Sequence, residues 1–239
     1  MQWADEAIVL SVRPHAETSA VVEVFARNHG RHLGLVHGGR SRKARPVLQT
    51  GNHVDVTWRA RLSEHLGNFT LEPRRAFAAE VMDDPAALAG LASLAALARQ
   101  LPERDPHPNL YEVTVFVLSF LDDPSVWPAL MVRWELALLD ELGFGLDLSS
   151  CAATGATTGL VYVSPRSGRA VSAAAGEPYK DKLLALPDFL VDRTAPAARA
   201  DTLAGLDLTA HFLMTRVFAP NELSLPAARV RLREVLARP

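Results

Sequence analysis

The 239-residue sequence predicts an α+β fold: a five-stranded antiparallel barrel over residues 1–80, then a helical domain carrying a small inserted lobe. Three observations predict it. Five short runs rich in Val, Leu, Ile, Thr and Phe are broken by Gly and Pro before residue 80, as in a small β-barrel. From Asp84 onward, leucine and alanine recur at three- and four-residue spacing. Within the helical part, residues 146–176 are rich in Gly, Ser, Ala and Thr and follow neither period.

The strand runs are Ala7–Val12, Ala20–Ala26, Leu33–His37, His53–Trp58 and Gly67–Leu71. Val54, Val56 and Trp58 alternate with His53, Asp55 and Thr57, the period of a strand buried on one face. Asn28-His29-Gly30 reads as a hairpin turn with glycine at the positive-φ position. Five strands in so short a span fit an OB-fold, whose face and loops bind single-stranded nucleic acid through a basic groove and stacking aromatics. Phe25, Trp58 and Phe69 are the aromatics expected there, and all three read as core.

The charge pattern is uneven. Residues 1–80 carry 11 basic and 8 acidic side chains (+3); residues 81–239 carry 14 and 19 (−5). Arg27, Arg31, Arg40, Arg42, Lys43, Arg45, Arg59 and Arg61 face a single acid, Asp55, between positions 27 and 61, a local excess of +7. Such an excess on a chain of net charge −2 is the footprint of a polyanion site. These eight cations are the expected DNA-backbone contacts, on a glycine-hinged flap that projects from the barrel. The four histidines among them lack the thiolates or clustered carboxylates of a metal site.

The helical domain is expected over residues 81–145 and 177–239. Asp84-Pro85 reads as an N-cap followed by proline at the first helical position. Leu110–Leu121 is apolar nearly all round, as in the centre of a bundle. Ser125 is expected to cap the next helix, where Met131, Trp134, Leu138 and Leu142 form a stripe ending at Gly143. Further helices are expected over Lys180–Leu186, Leu203–Phe218 and Pro226–Ala237, the last with Arg229, Arg231, Arg233 and Arg238 toward its C-terminus. In the lobe, Val161–Val163 and Ala170–Val171 read as strands. Cys151-Ala-Ala-Thr154-Gly155 has the shape of half a zinc knuckle whose second thiolate is replaced. With one Cys and no His between residues 108 and 210, zinc is not expected, and the lobe must be held by docking onto helices.

The chain carries no phosphate-binding Gly-rich loop, dinucleotide fingerprint, HisGluXXHis or nucleophile elbow, so no enzyme, cofactor or metal is expected. A lone cysteine excludes an internal disulfide, the N-terminus does not read as a signal peptide, and no run suits a bilayer. A cytoplasmic protein is expected.

The order of parts resembles the bacterial RecO family of recombinational repair proteins. The residues that carry the likeness are Glu6–Ser11, Glu17-Thr18, Gly30, His37–Arg42, Arg133–Leu148 leading to Cys151-x-x-Thr154-Gly155, and Pro226–Arg229. The resemblance implies an N-terminal OB-fold, a helical domain and an inserted zinc-ribbon-like lobe lacking its metal ligands. It implies binding of single- and double-stranded DNA and annealing of strands coated by single-strand binding protein. It also implies loading of RecA together with RecR, and a grip on the C-terminal tail of single-strand binding protein to which Arg133 contributes. An OB-fold RNA-binding protein and a protein-interaction scaffold remain as alternatives.

Overall fold

The computed structural model describes residues 1–192 and 194–238. The chain divides into two compact units, residues 1–127 and 128–239, so the helices that follow the barrel group with it.

In the first unit β1 (Gln2–His15), β2 (Ser19–Ala26), β3 (Gly30–Val36), β4 (His53–Arg59) and β5 (Asn68–Arg75) close a barrel in the order β1-β2-β3-β5-β4. One long strand serves two neighbours. The first half of β1 pairs with β4 (Gln2 opposite Arg59 through Ile8 opposite His53), and its second half runs along β2 to His15 opposite Ser19. A register shift between Val9 and Ser11 supplies the bend. Closure is made by the parallel pairing of Leu35 with Asn68. Val54, Val56 and Trp58 of β4 point into the interior with Val9, Val22, Val24 and Phe69, as the alternation predicts. Gly34 leaves room for the Phe69 ring, which an added Cβ would meet at 2.5 Å.

Buried Glu23 of β2 anchors the barrel to the segment after the second helix. Its carboxylate accepts from Arg31 Nη1 (2.6 Å), Ser11 Oγ (2.9 Å) and Arg99 Nε (2.7 Å). Burial alone would raise its pKa, but the hydrogen bonds from Arg31 and Ser11 and the nearby charge of Arg99 hold it below the ordinary 4.5. A depressed folded-state pKa contributes stability that is present above 4.5 and lost as pH falls through the lowered value. Glu23→Gln is therefore expected to cost about 2–3 kcal/mol at neutral pH, less than a fully enclosed pair because Arg99 is half open to water. Urea denaturation at neutral and acid pH should show the gap from wild type narrowing on acidification. A gap independent of pH would show that the carboxylate charge is not what stabilises the fold.

Three helices follow: α1 (Phe77–Glu80), α2 (Pro85–Ala98) and α3 (Pro108–Leu118). Asp84 caps α2 by accepting from the backbone of Ala86 and Ala87 at 2.8 and 3.1 Å, as predicted. α3 departs from its expected setting. Val113 and Phe116 are exposed, so the helix lies against the barrel side by one face and is not the centre of a bundle. Tyr111 on its inner face places its hydroxyl 3.0 Å from His53 Nε2 of β4. α4 (Trp127–Glu141) starts two residues after Ser125, which does not cap it. Ser125 instead donates its N–H and hydroxyl to Asp123 Oδ1 in the preceding turn.

In the second unit, Met131, Trp134 and Leu138 of α4 are buried in the predicted stripe, and Gly143 takes φ +81° after it. β6 (Leu160–Val163), β7 (Ala170–Ser172) and β8 (Leu184–Ala185) form a sheet in the order β7-β6-β8, with the single turn α5 (Ala173–Gly176) between β7 and β8 in the chain and α6 (Arg199–Phe212) and α7 (Ala227–Ala237) after β8. The helix expected at Lys180–Leu186 is a 3₁₀ segment, Glu177–Lys182, leading into β8. Leu186 precedes Pro187 and is steered away from the helical region, and Leu184 and Ala185 gain ladder partners in Val163 and Tyr162. α6 ends in a π-helical turn, Leu213–Phe218.

The lobe rests on α6 and its extension, through a contact of His211 Nε2 with Pro165 O (3.3 Å) and the approach of the Arg216 guanidinium to Gly168. Its donors do not fit zinc. Cys151 is buried, its Sγ accepts from Ser172 N at 3.3 Å, and Thr154 Oγ1 accepts from Ala156 N where a second thiolate would be needed. Arg229, expected among the arginines that suit a helix C-terminus, lies instead in the first turn of α7, where it is 1% exposed and hydrogen-bonded to Glu135.

Candidate nucleic-acid interface

The eight cations of the basic segment fall into three settings, all within the first unit. Arg27, in the β2–β3 turn, pairs with Glu112 Oε1 at 2.6 Å, with both side chains about half exposed. Arg31, at the start of β3, is more enclosed, joined to Glu23 and donating from Nε to Leu101 O at 2.7 Å. β3 carries the chain roughly 20 Å away from this pair before the next cations appear.

Arg40, Arg42, Lys43 and Arg45 lie in the β3–β4 loop. The loop is not a projecting flap. Leu48 is buried in the barrel core and Ala44 and Val47 pack against it. Arg40 is tied down twice, its N–H to Thr18 O (3.0 Å) and its Nη1 to Ala16 O (2.8 Å). Asn52 at the loop's exit donates to Pro46 O at 2.7 Å. With the apolar side held inward, Arg42, Lys43 and Arg45 are left exposed on the outer side. The third setting is the end of β4, where Arg59 donates to Gln2 Oε1 at 3.0 Å and exposed Arg61 begins the β4–β5 loop.

Beside Arg59 a pocket of about 570 Å³ opens at the barrel mouth, its walls including Trp3, His29, His32, Trp58, Ser63 and Arg104. Trp3 and Trp58 are cross-strand partners on β1 and β4, with ring centroids 5.8 Å apart and planes 17° from parallel. His29 lies on Trp3 at 4.1 Å and 10°. Asp5 fixes that imidazole, accepting from Asn28 N (2.8 Å) and Asn28 Nδ2 (3.0 Å) and meeting His29 Nδ1 at 2.8 Å. Burial, before any other cause, lowers the pKa of His32 below the ordinary 6.5 and so favours the neutral ring. Its Nδ1 lies 2.9 Å from Leu33 O, a group that only accepts, so the proton sits on Nδ1 and Nε2 is left as the acceptor.

Arg104 closes the pocket from the segment between α2 and α3. It holds φ +63°, a left-handed conformation rare for a side chain of its size. Its N–H donates to Arg31 O (2.7 Å), and its guanidinium donates to the carbonyls of Ser63, Glu64 and His65 in the β4–β5 loop at 2.7–3.3 Å.

Reading the sequence alone passes over Trp3 and does not decide whether Arg104 extends the basic surface. Trp3 stands ahead of the apolar run at Ala7, although its alternation with Gln2 and Ala4 continues the strand. Arg104 carries no local signal at all. Arg133, on α4 of the second unit, is bound to its own neighbours: Nη2 donates to Phe189 O and Cζ lies 5.7 Å from that ring's centroid.

Among the described residues, no group of three or more His, Cys, Asp or Glu is placed to hold a metal, and no helix is long and apolar enough to cross a membrane. Comparison with known proteins adds the family. The model described as recombination protein O N terminal matches residues 1–77, and recombination protein O C terminal matches residues 82–224. A DNA repair protein RecO of Methylobacterium nodulans is 57% identical over 234 residues, covering 96% of this chain and 95% of that protein. Proteins of the same name from Rhodospirillum centenum and Sinorhizobium medicae are 54% and 51% identical, covering 97% and 96% of this chain and 93% and 92% of their own.

Proposed function

The chain belongs to the RecO family of DNA repair and recombination proteins, and from that premise we propose that it is a non-enzymatic recombination mediator. In this reading it binds single- and double-stranded DNA and anneals complementary strands. With RecR it helps to load RecA onto DNA coated by single-strand binding protein, whose C-terminal tail it holds in part through Arg133. The lobe around Cys151 is then a zinc ribbon that has lost its metal and keeps its shape by hydrogen bonds.

The observation that carries the reading is the docked β3–β4 loop, which presents Arg42, Lys43 and Arg45 to solvent from a rigid barrel. Annealing breaks no covalent bond. It needs two polyanions neutralised so that they can approach, and exposed guanidinium and ammonium groups do this by releasing counterions. Arg59 and Arg61 extend the cationic surface beside the barrel mouth. Arg27 faces Glu112 in a half-exposed pair, where a phosphate can take the carboxylate's place at little cost. Arg31 is held by buried Glu23, so it contributes mainly long-range charge.

Fluorescence titration of a labelled single strand across a salt series tests this. Replacing Arg40, Arg42 and Lys43 by Ala is expected to weaken binding for all sequences alike. It should flatten the slope of log affinity against log salt by about 2 for single strands and just under 3 for duplex. An unchanged slope removes these three from the interface. Annealing of complementary oligonucleotides, with single-strand binding protein carrying or lacking its tail, tests the partner. Loss of annealing only when the intact tail is absent supports the assignment.

A further inference from the structure

The pocket at the barrel mouth is more than a gap between strands. His29, Trp3 and Trp58 form one column of near-parallel rings. Its inner ring, Trp58, is buried and donates from Nε1 to Leu66 O at 3.0 Å; its outer ring, His29, keeps a third of its side chain exposed. A column that ends in a partly exposed flat ring can serve as a stacking platform, and a nucleobase is the flat ring that a polyanion-binding protein meets. The platform is already rigid, because Asp5, only 3% exposed in its side chain, holds both His29 and the Asn28 turn. Little ordering entropy remains to be lost on binding.

The rim suits the sugar-phosphate chain. The three hydrogen-bond partners of the Arg104 guanidinium are neutral carbonyl oxygens that fix the group, while the exposed carboxylates of Glu64 and Glu103 nearby offset its charge only in part. Arg59 lies on the same side through Gln2, which also lines the pocket. A base inside duplex DNA shows no free face, so only an unpaired base can continue the column.

We propose that this pocket takes one unpaired nucleobase of a single strand, stacked on the His29–Trp3 column with its phosphate toward Arg104. The inference rests on the DNA-binding reading above and adds to it a site that separates single strands from duplex.

The test compares wild type, Trp3→Ala, Trp3→Phe and His29→Ala in binding an oligothymidine and a duplex of equal length at one salt concentration. Wild type is also given an oligothymidine in which every second position is abasic. Trp3→Ala and His29→Ala should lose roughly tenfold to a hundredfold in affinity for the single strand and stay within about twofold on duplex, while Trp3→Phe keeps most of its binding. The abasic strand should bind wild type about tenfold more weakly, an arm that holds even if Trp3→Ala fails to fold. Equal losses on single strand and duplex, or equal binding of abasic and intact strands, would overturn the pocket and leave the salt-dependent DNA reading standing. Failure of wild type to bind either DNA at low salt would overturn both.

Discussion

Glu135→Leu is expected to lower the stability of the second unit by about 3–5 kcal/mol. Glu135 of α4 and Arg229 of α7 are buried together, 0% and 1% exposed in their side chains. Arg229 Nε donates to Glu135 Oε1 at 2.5 Å and Nη2 to Oε2 at 2.9 Å. Nη2 also reaches Leu206 O at 2.7 Å, and Thr209 Oγ1 donates to Glu135 Oε2. The pair thus joins three helices through one point. Removing the carboxylate leaves a guanidinium in a dry interior with a carbonyl and a hydroxyl, which cannot neutralise it. The cost comes from the orphaned charge rather than from any large net gain of the ion pair. The double variant Glu135→Leu with Arg229→Met should therefore recover most of the loss. Urea denaturation of the two single variants and the double variant decides the matter. If the double variant is as unstable as the sum of the singles, packing volume and not charge is what the site requires.

The contrast between this pair and the barrel shows what a linear sequence discloses. The barrel was legible because its signals are local: alternation in Val54–Trp58, glycine after Asn28-His29, and strand runs short enough to count. Asp84-Pro85 was legible for the same reason. Arg229 was not, since its partner lies 94 residues away and its place in a run of arginines near the chain end reads as a charge set for a helix C-terminus. Arg27 met Glu112 by the same kind of distant pairing. The β3–β4 loop was half legible. Its charge was plain, but Ala44, Val47 and Leu48, spaced three and four residues apart within that charge, were the mark of one face packing down. Trp3 was hidden because β1 begins in a polar stretch, where burial at one end of the barrel is decided by the strand opposite.

Gly30→Ala is the other substitution with a large expected effect, about 3 kcal/mol or more in stability together with loss of single-strand binding. Gly30 ends the β2–β3 turn at φ +63°, and a Cβ there would lie 2.0 Å from Asp105 O and 2.5 Å from its carbonyl carbon. No side-chain rotation relieves a clash with backbone. The segment from Leu101 to Asp105 lies along the start of β3, held by Arg31 Nε to Leu101 O and by Arg104 N to Arg31 O, both at 2.7 Å. Alanine must push this segment outward and take Arg104 away from the pocket rim. Gly38→Ala provides the control. Gly38 has nearly the same φ, +67°, with nothing within 4 Å of the added carbon, so it should lose only the left-handed strain, about 1 kcal/mol. If the approach of Asp105 is the cause, Gly30→Ala loses far more stability than Gly38→Ala, and its single-strand affinity falls as that of Trp3→Ala does. Equal losses from the two alanines would mean that backbone conformation alone is at stake and that the segment bearing Arg104 is free to settle elsewhere.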